Sequence, residues 1–210
     1  MLKAEDNFSP EKIQVRQGIN SLIRETFRKT GGPRHFLTLP GAVIRGEDER
    51  GVERFILQRY PKAVLHLHER NLSRRKKLRS QIDLLPLHQR QRIRLHGGDI
   101  LKGPVDCGSL PVSGAWFDLY GGPTSSVVRK LQRLFEMAAF EESCIVALTF
   151  GWLESRHGDD YVATPREVVR SLLATARKYH YLLSSKLHAH EYQAKHYRMF
   201  SFWWSLKTMN

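Results

Sequence analysis

The chain of 210 residues carries 34 Lys and Arg against 21 Asp and Glu, a formal net charge of +13, and 41% of its residues are hydrophobic. This composition is typical of a folded domain and excludes disordered and collagen-like proteins. Two cysteines are too few for a disulfide scaffold, and no apolar run approaches the ~20 residues that span a bilayer. We therefore expect a cytoplasmic protein without a membrane partner, and its charge favours polyanions such as nucleic acid.

The first predicted element is a helix over residues 10–29, where apolar residues recur at helical spacing. Ser9 is a suitable N-cap for it. Gly31-Gly32-Pro33 then interrupts the chain. The pattern predicts a helical extension over residues 1–32, followed by a single domain over residues 33–210.

Short apolar strands then alternate with amphipathic helices. The predicted strands cover residues 35–40, 63–69, 93–96, 115–120 and 143–152. The helices between them cover residues 47–59, 72–91, with a break or end near Pro86, and 125–139, and a Gly- and Pro-rich loop covers 101–113. This alternation indicates a mostly parallel sheet with helices on both faces, an α/β fold. Beyond it, Thr164-Pro165-Arg166-Glu167 is typical of a helix start, and we predict a helix to about Leu187 and an aromatic strand over residues 197–207.

Candidate site residues follow the ends of the predicted strands, because ligands of open parallel sheets bind beyond the carboxyl ends of the strands. Gly41 follows the first strand and permits close approach of a ligand to the backbone. Glu69 closes the second strand, where an acid can accept hydrogen bonds from both ribose hydroxyls, and Asp99 follows the third, where an acid can accept from an adenine amino group. Asp118 lies within an apolar run, and because burying an unpaired carboxylate is costly, a functional role is expected.

These residues resemble those of the class I S-adenosylmethionine-dependent methyltransferases, over about residues 33–152. The matching segments are TLPGA at 38–42, HLHER at 66–70, GGDI at 97–100 and FDLYGG at 117–122. The resemblance implies a Rossmann-like sheet in which the late aromatic strand is antiparallel and pairs with a strand near 189–195. It also implies S-adenosylmethionine as cofactor, bound by Leu39, Pro40, Gly41, Glu69, Asp99, Ile100 and Asp118, with Asp118 and Tyr120 as the catalytic residues.

A basic segment follows the second strand. It contains Arg74, Arg75, Lys76, Lys77 and Arg79. These side chains are candidate phosphate contacts, which predicts nucleic acid as the partner and methyl acceptor. The alternative interpretation is a solvated helix face on a basic protein.

The sequence is compatible with two functions, an active methyltransferase or a catalytically degenerate relative that binds nucleic acid or serves as a scaffold. Another nucleotide-dependent Rossmann enzyme is less favoured because no G-x-G-x-x-G follows the first strand. The spacing of His188, His190, Glu191 and His196 matches no zinc signature, so we predict no metal site. We interpret His66 and His68 as core or sheet-surface residues.

Overall fold

The computed structural model describes residues 9–28, 34–39, 44, 51–98, 111–119, 124–136, 140–152, 164–193 and 198–209. The helices are α1 (Pro10–Phe27), α2 (Val52–Arg59), α3 (Leu72–Asp83), α4 (Leu87–Arg90), α5 (Ser125–Glu136) and α6 (Pro165–Lys178). The strands are β1 (Arg34–Thr38), β2 (Ala63–Glu69), β3 (Ile93–Gly97), β4 (Val112–Leu119), β5 (Phe140–Trp152), β6 (Tyr181–Leu183), β7 (His188–Gln193) and β8 (Arg198–Thr208).

The strands form one sheet in the order β3-β2-β1-β4-β5-β8-β6, and β7 also pairs with β8. The first five strands are parallel, and β8 is antiparallel to β5. The chain passes from β3 at one edge of the sheet back to β4 beside β1, so the strand order reverses between β1 and β4. This arrangement confirms the predicted mostly parallel α/β fold and the late antiparallel strand.

Both faces of the sheet are covered by helices, as the continuous apolar sequence of β5 requires. Ile145 and Ala147 of β5 belong to one core with residues of α1, α2 and α3. Val146 and Leu148 belong to a second core with residues of α5 and α6. Because successive side chains of a strand point to opposite faces, one strand supplies both cores.

Helix α1 packs directly on the sheet. Its N-cap Ser9 accepts a hydrogen bond from the backbone of Lys12, and its buried residues Ile19 and Ile23 join the first core. A side chain at Gly18 would overlap the ring of Trp203 on β8, so the glycine permits this close approach. Helix α1 is therefore held against β5 and β8, the strands of the C-terminal half of the chain.

The segment after α6 differs from the prediction. The capping box at Thr164 and Glu167 is present, but the helix ends at Lys178 and does not continue to Leu187. His180 has a φ of 66°, which a helix does not accommodate. The chain then forms β6, which pairs with the end of β8, and β7, which pairs with its beginning. The strand that the family resemblance implied near residues 189–195 is therefore confirmed.

Smaller differences concern element ends. Strand β4 begins at Val112, inside the predicted loop, because this end of the strand pairs with Phe140 at the start of β5. Strand β1 ends at Thr38 and leaves Leu39 outside the ladder. Among the described helices, none has the length and apolar character needed to cross a membrane.

Candidate functional site

The carboxyl ends of the parallel strands meet at one edge of the sheet. Thr38 of β1 lies level with Leu67 of β2 and Trp116 of β4, and Glu69 lies level with Gly97 of β3. The strand order reverses between β1 and β4, and in open α/β sheets ligands bind at this position. The topology therefore brings the ends of β1, β2 and β4 to a common site.

A buried acid that sequence reasoning missed lies beside the end of β1. Glu53, in the first turn of α2, accepts a hydrogen bond from the Thr38 hydroxyl at 3.1 Å. Burial raises the pKa of Glu53, and hydrogen bonding at the helix start and the charge of Arg16 partly oppose this rise. The segment around Glu53 contains several acids, so its sequence alone does not distinguish the one that packs inward.

Asp118 lies near the end of β4 and is half-buried. Desolvation raises the pKa of its carboxyl group, while the positive charges of Lys12 and Arg16 on α1 lower it. Its negative charge in turn contributes to the raised pKa values of Glu53 and of Tyr192 on β7, both of which are raised chiefly by burial. Helix α1, two strands and α2 thus contribute to one electrostatic neighbourhood.

A row of polar side chains crosses the sheet next to Asp118. The indole nitrogen of Trp116 on β4 donates to Thr149 of β5 at 3.3 Å, and Thr149 lies 3.2 Å from the hydroxyl of Ser201 on β8. A hydrogen bond between Ser201 and Tyr192 continues the row to β7. The row lies on the face of the sheet that α1 covers, and it provides hydroxyl groups beside a carboxylate.

Glu69 occupies the predicted position at the end of β2 and is buried. One of its carboxylate oxygens accepts a hydrogen bond from the backbone of Asn71 at 2.7 Å. Asn71 in turn caps α3 by accepting from the backbone of Arg74 at 3.0 Å. The carboxylate is therefore held in place by the same turn that starts α3.

The other predicted site residues are only partly described. Leu39 is half-buried and packs against the second core. Pro40, Gly41, Asp99, Ile100 and Tyr120 lie outside the described residues. The geometry of the candidate site therefore comes from Thr38, Leu39, Glu53, Glu69 and Asp118, together with residues of α1 and β7.

The basic segment forms α3. Arg75 is half-buried, and Arg74, Lys76, Lys77 and Arg79 are exposed. Two buried residues, Leu78 and Ile82, anchor the helix to the sheet. The cations are therefore distributed around the helix, and only some of them lie near β3.

Four histidines lie on the sheet face opposite α2 and α3. His35 and His66 are joined by ring nitrogens 2.9 Å apart, and His66 and His96 by nitrogens 3.1 Å apart. The ring of His68 stacks on that of His96 with centroids 4.5 Å apart. Each of His66's two nitrogens faces a different ring, so the rings form a chain and do not converge on one point. Within the described residues, no group of three or more metal-ligating side chains has a metal-binding arrangement.

Several solved structures with a similar fold are described as methyltransferases. The methyltransferase domain of bacterial CtHen1-C matches with a TM-score of 0.59 at 13% identity, over 94% of this chain and 100% of that one. This chain has the class I methyltransferase fold. M. jannaschii TYW2, solved in complex with AdoMet, matches with a TM-score of 0.53 at 13% identity, over 93% of this chain and 77% of that one.

A third similar structure, the glycopeptide N-methyltransferase MtfA, has a TM-score of 0.50 at 12% identity and covers 96% of this chain and 99% of that one. No protein-family model matches the chain, and no curated protein matches it in sequence. The methyltransferase fold is thus evident from the structure, and of the three neighbours only MtfA is named for its acceptor, a glycopeptide.

Proposed function

We propose that this protein is an S-adenosylmethionine-dependent methyltransferase. The observation that carries the proposal is the placement of Glu53, Glu69 and Asp118 at the carboxyl ends of β1, β2 and β4, in a sheet with the methyltransferase strand order. M. jannaschii TYW2, which has the same fold, is described in complex with AdoMet. That description supports the same cofactor here.

The chemistry of the described residues fits this cofactor. Glu69 is a buried, fixed hydrogen-bond acceptor at the strand end where a ribose diol is expected. The carboxyl groups of Glu53 and Asp118 favour a positively charged ligand when ionised, as a sulfonium is. The proposed cofactor site also includes Leu39, Pro40, Gly41, Asp99 and Ile100, as the family resemblance implies.

The bound cofactor supplies an activated methyl group, and we assign proton removal from the acceptor atom to Asp118. Burial raises the pKa of this carboxyl group, which makes its carboxylate a stronger base, and Arg16 and Lys12 moderate the rise. Tyr120 orients the acceptor in this scheme. The rate should therefore increase with pH until Asp118 is ionised and should then level off, and Asp118→Asn should remove this dependence.

Calorimetric titration with S-adenosylmethionine tests the cofactor assignment. We expect a Kd below ~1 mM for the unmodified protein. Glu69→Ala should weaken binding by about tenfold or more, because hydrogen bonds to a charged group contribute ~1.5–3 kcal/mol. The matched control is Glu142→Ala, which removes an exposed acid from the amino-terminal part of β5, at the opposite edge of the sheet.

Failure of the unmodified protein to bind at millimolar cofactor would refute the enzyme proposal. Retained binding of nucleic acid in that case would favour the degenerate, non-catalytic relative. Equal losses in Glu69→Ala and Glu142→Ala would show that the carboxylate at the end of β2 does not hold the cofactor.

We further propose nucleic acid as the methyl acceptor. The net charge of +13 and the basic character of α3 support this choice. The test is transfer of a radiolabelled methyl group from the cofactor to RNA, DNA or a protein mixture. Label in the protein fraction alone would contradict the nucleic-acid assignment and leave the methyltransferase assignment intact.

A further inference from the structure

A cationic groove lies at the outer edge of the sheet, beside β3. It encloses about 250 Å³ and is lined by Arg75, Lys76 and Arg79 of α3 and by Leu95 and Gly97 of β3. Drug-sized ligands occupy pockets of roughly 300–1,000 Å³, so this groove suits a smaller group. Three neighbouring cations make it suitable for an anion.

Helix geometry explains why these three side chains share the groove. Arg75 and Arg79 are four residues apart and therefore lie on the same side of α3, next to the anchoring residue Leu78. Lys76 borders that side, whereas Lys77 is turned a further 100° away and does not line the groove. The basic run thus separates into a groove side and an outer side.

Gly97 gives Arg75 its position. A side chain at residue 97 would overlap the Arg75 guanidinium, so the missing side chain lets this group lie against the end of β3. Gly98 follows with a φ of 95°, a conformation that favours glycine and does not continue the strand. The guanidinium is therefore held by packing at the rim of the groove.

In the described part of the chain, no ion pair engages Arg75, Lys76 or Arg79. Arg92 differs from the groove cations in this respect. Its guanidinium donates hydrogen bonds to the backbone carbonyls of Leu57, Tyr60 and Ala63 and so stabilises the fold. Three neighbouring cations repel one another, and an anion between them would relieve that repulsion.

We infer that this groove binds a backbone phosphate of a nucleic-acid strand, at a nucleotide other than the one that is methylated. Guanidinium groups bind phosphate through paired hydrogen bonds, which the arginines of the groove can provide. The inference rests on the proposed function for the position of the reacting nucleotide near Asp118. Binding of the phosphate itself does not depend on catalysis.

The distance across the sheet sets the length of the substrate. Strand β3 lies three strands from β4 in the order β3-β2-β1-β4. At about 4.8 Å per strand, the groove is ~14 Å from the strand that carries Asp118. A stacked strand rises ~3.4 Å per nucleotide, so about four nucleotides cover this distance. A single nucleotide does not reach both sites, and the acceptor is therefore an oligonucleotide.

The test compares neighbouring residues of the same kind. Binding of a fluorescein-labelled 12-nucleotide single strand, as RNA and as DNA, is measured by anisotropy over a salt series. Lys76→Gln should lower the magnitude of the salt slope by about 0.7, the value for one lost phosphate contact on a single strand. Lys77→Gln removes the same charge from the adjacent position and should leave the slope unchanged.

Two further variants test the role of packing. Arg75→Gln should weaken binding by about tenfold or more, since hydrogen bonds to charged groups contribute ~1.5–3 kcal/mol. Gly97→Ala retains every charge but displaces the Arg75 guanidinium, so it should weaken binding of the strand nearly as much as Arg75→Gln does. The displaced group is the end of a flexible side chain, and a thermal melt checks that the fold is kept.

Four results would overturn the inference. Three of them are equal slopes for Lys76→Gln and Lys77→Gln, no binding of either strand by the unmodified protein, and loss of binding to anionic vesicles but not to nucleic acid in Lys76→Gln. Shortening the strand from 12 to 2 nucleotides should weaken binding stepwise, and a length-independent affinity would also contradict it.

The calorimetric titration separates this inference from the proposed function. Cofactor binding that is unchanged in Lys76→Gln and Arg75→Gln, together with weakened strand binding, supports the groove and the enzyme together. Absence of cofactor binding in the unmodified protein, with the strand effects intact, would refute the enzyme proposal and leave the groove as a phosphate site.

Discussion

The buried imidazole of His68 predicts how the stability of this protein depends on pH. Its side chain is 7% exposed, and its Nε2 atom has no hydrogen-bond partner among the described residues. Burial, together with the neighbouring His96 and His66, lowers the pKa of His68 from its ordinary 6.5 to about 3. In the unfolded chain, His68 is therefore protonated as the pH falls below 6.5, whereas in the folded chain it stays neutral until about pH 3.

The sign and size of the effect follow from this difference. Between pH 6.5 and pH 3 the unfolded state binds more protons, so the free energy of unfolding falls as the pH falls. One pKa unit corresponds to 1.36 kcal/mol, so acidification from pH 7.5 to 5.0 costs about 2 kcal/mol through His68 alone. Above pH 6.5 both states are neutral at this residue, and the contribution disappears.

The variant His68→Phe keeps a flat ring against His96 but cannot take up a proton. Urea denaturation at pH 7.5 and pH 5.0 gives the free energy of unfolding of both proteins. The stability of the variant relative to the original protein should increase by about 2 kcal/mol on acidification. His188→Phe is the control, because it replaces an exposed histidine ring that also stacks on an aromatic side chain, that of Trp203.

A stability difference between His68→Phe and the original protein that is the same at both pH values would refute this reasoning. It would mean that the folded state accommodates a charged His68, for example by opening the sheet face that carries the histidine chain. A change of similar size in His188→Phe would show that the effect does not come from burial.

Three other predictions concern the core and the site. Burial raises the pKa of Glu53 above its ordinary 4.5, so ionisation of this carboxyl group lowers the free energy of unfolding as the pH rises above 4.5. Glu53→Gln should therefore have a higher Tm than the original protein at pH 8, and an unchanged or lower Tm would contradict this. Ile23→Ala should cost about 2–5 kcal/mol in urea denaturation, because this fully buried residue joins α1 to the sheet, and a loss under 1 kcal/mol would mean that α1 packs only loosely. Cys144 is buried and burial raises the pKa of its thiol, so in a Cys107→Ser background iodoacetamide should label the native protein only after urea is added.

The sequence predicted the sheet because its signals are local. Apolar runs that alternate with amphipathic segments, as in β5 and the helix before it, depend on neighbouring residues along the chain. The positions of Glu69 and Asp118 followed from the same pattern, since each comes at the end of a predicted strand. These features require no knowledge of contacts between distant elements.

The missed features depend on contacts between distant parts of the chain. Glu53 acquires its environment from Thr38 and Arg16, which lie on other elements. The end of α6 was misplaced because His180, and not a glycine, adopts the left-handed conformation that ends it. Strand β6 has three residues, too few for a period to be recognised, and exists because β8 supplies hydrogen-bonding partners.

The position of β8 has a consequence for how the protein is made. It is the last of the described strands along the chain, yet it lies between β5 and β6, so the apolar strand β5 lacks this partner until β8 has been synthesised. At ~5–20 residues per second, the interval between Trp152 and Thr208 lasts on the order of several seconds. During that time an unpaired apolar strand edge is available to other chains. A ribosome that stalls between α6 and β8 would therefore leave a nascent chain prone to aggregation and dependent on chaperones.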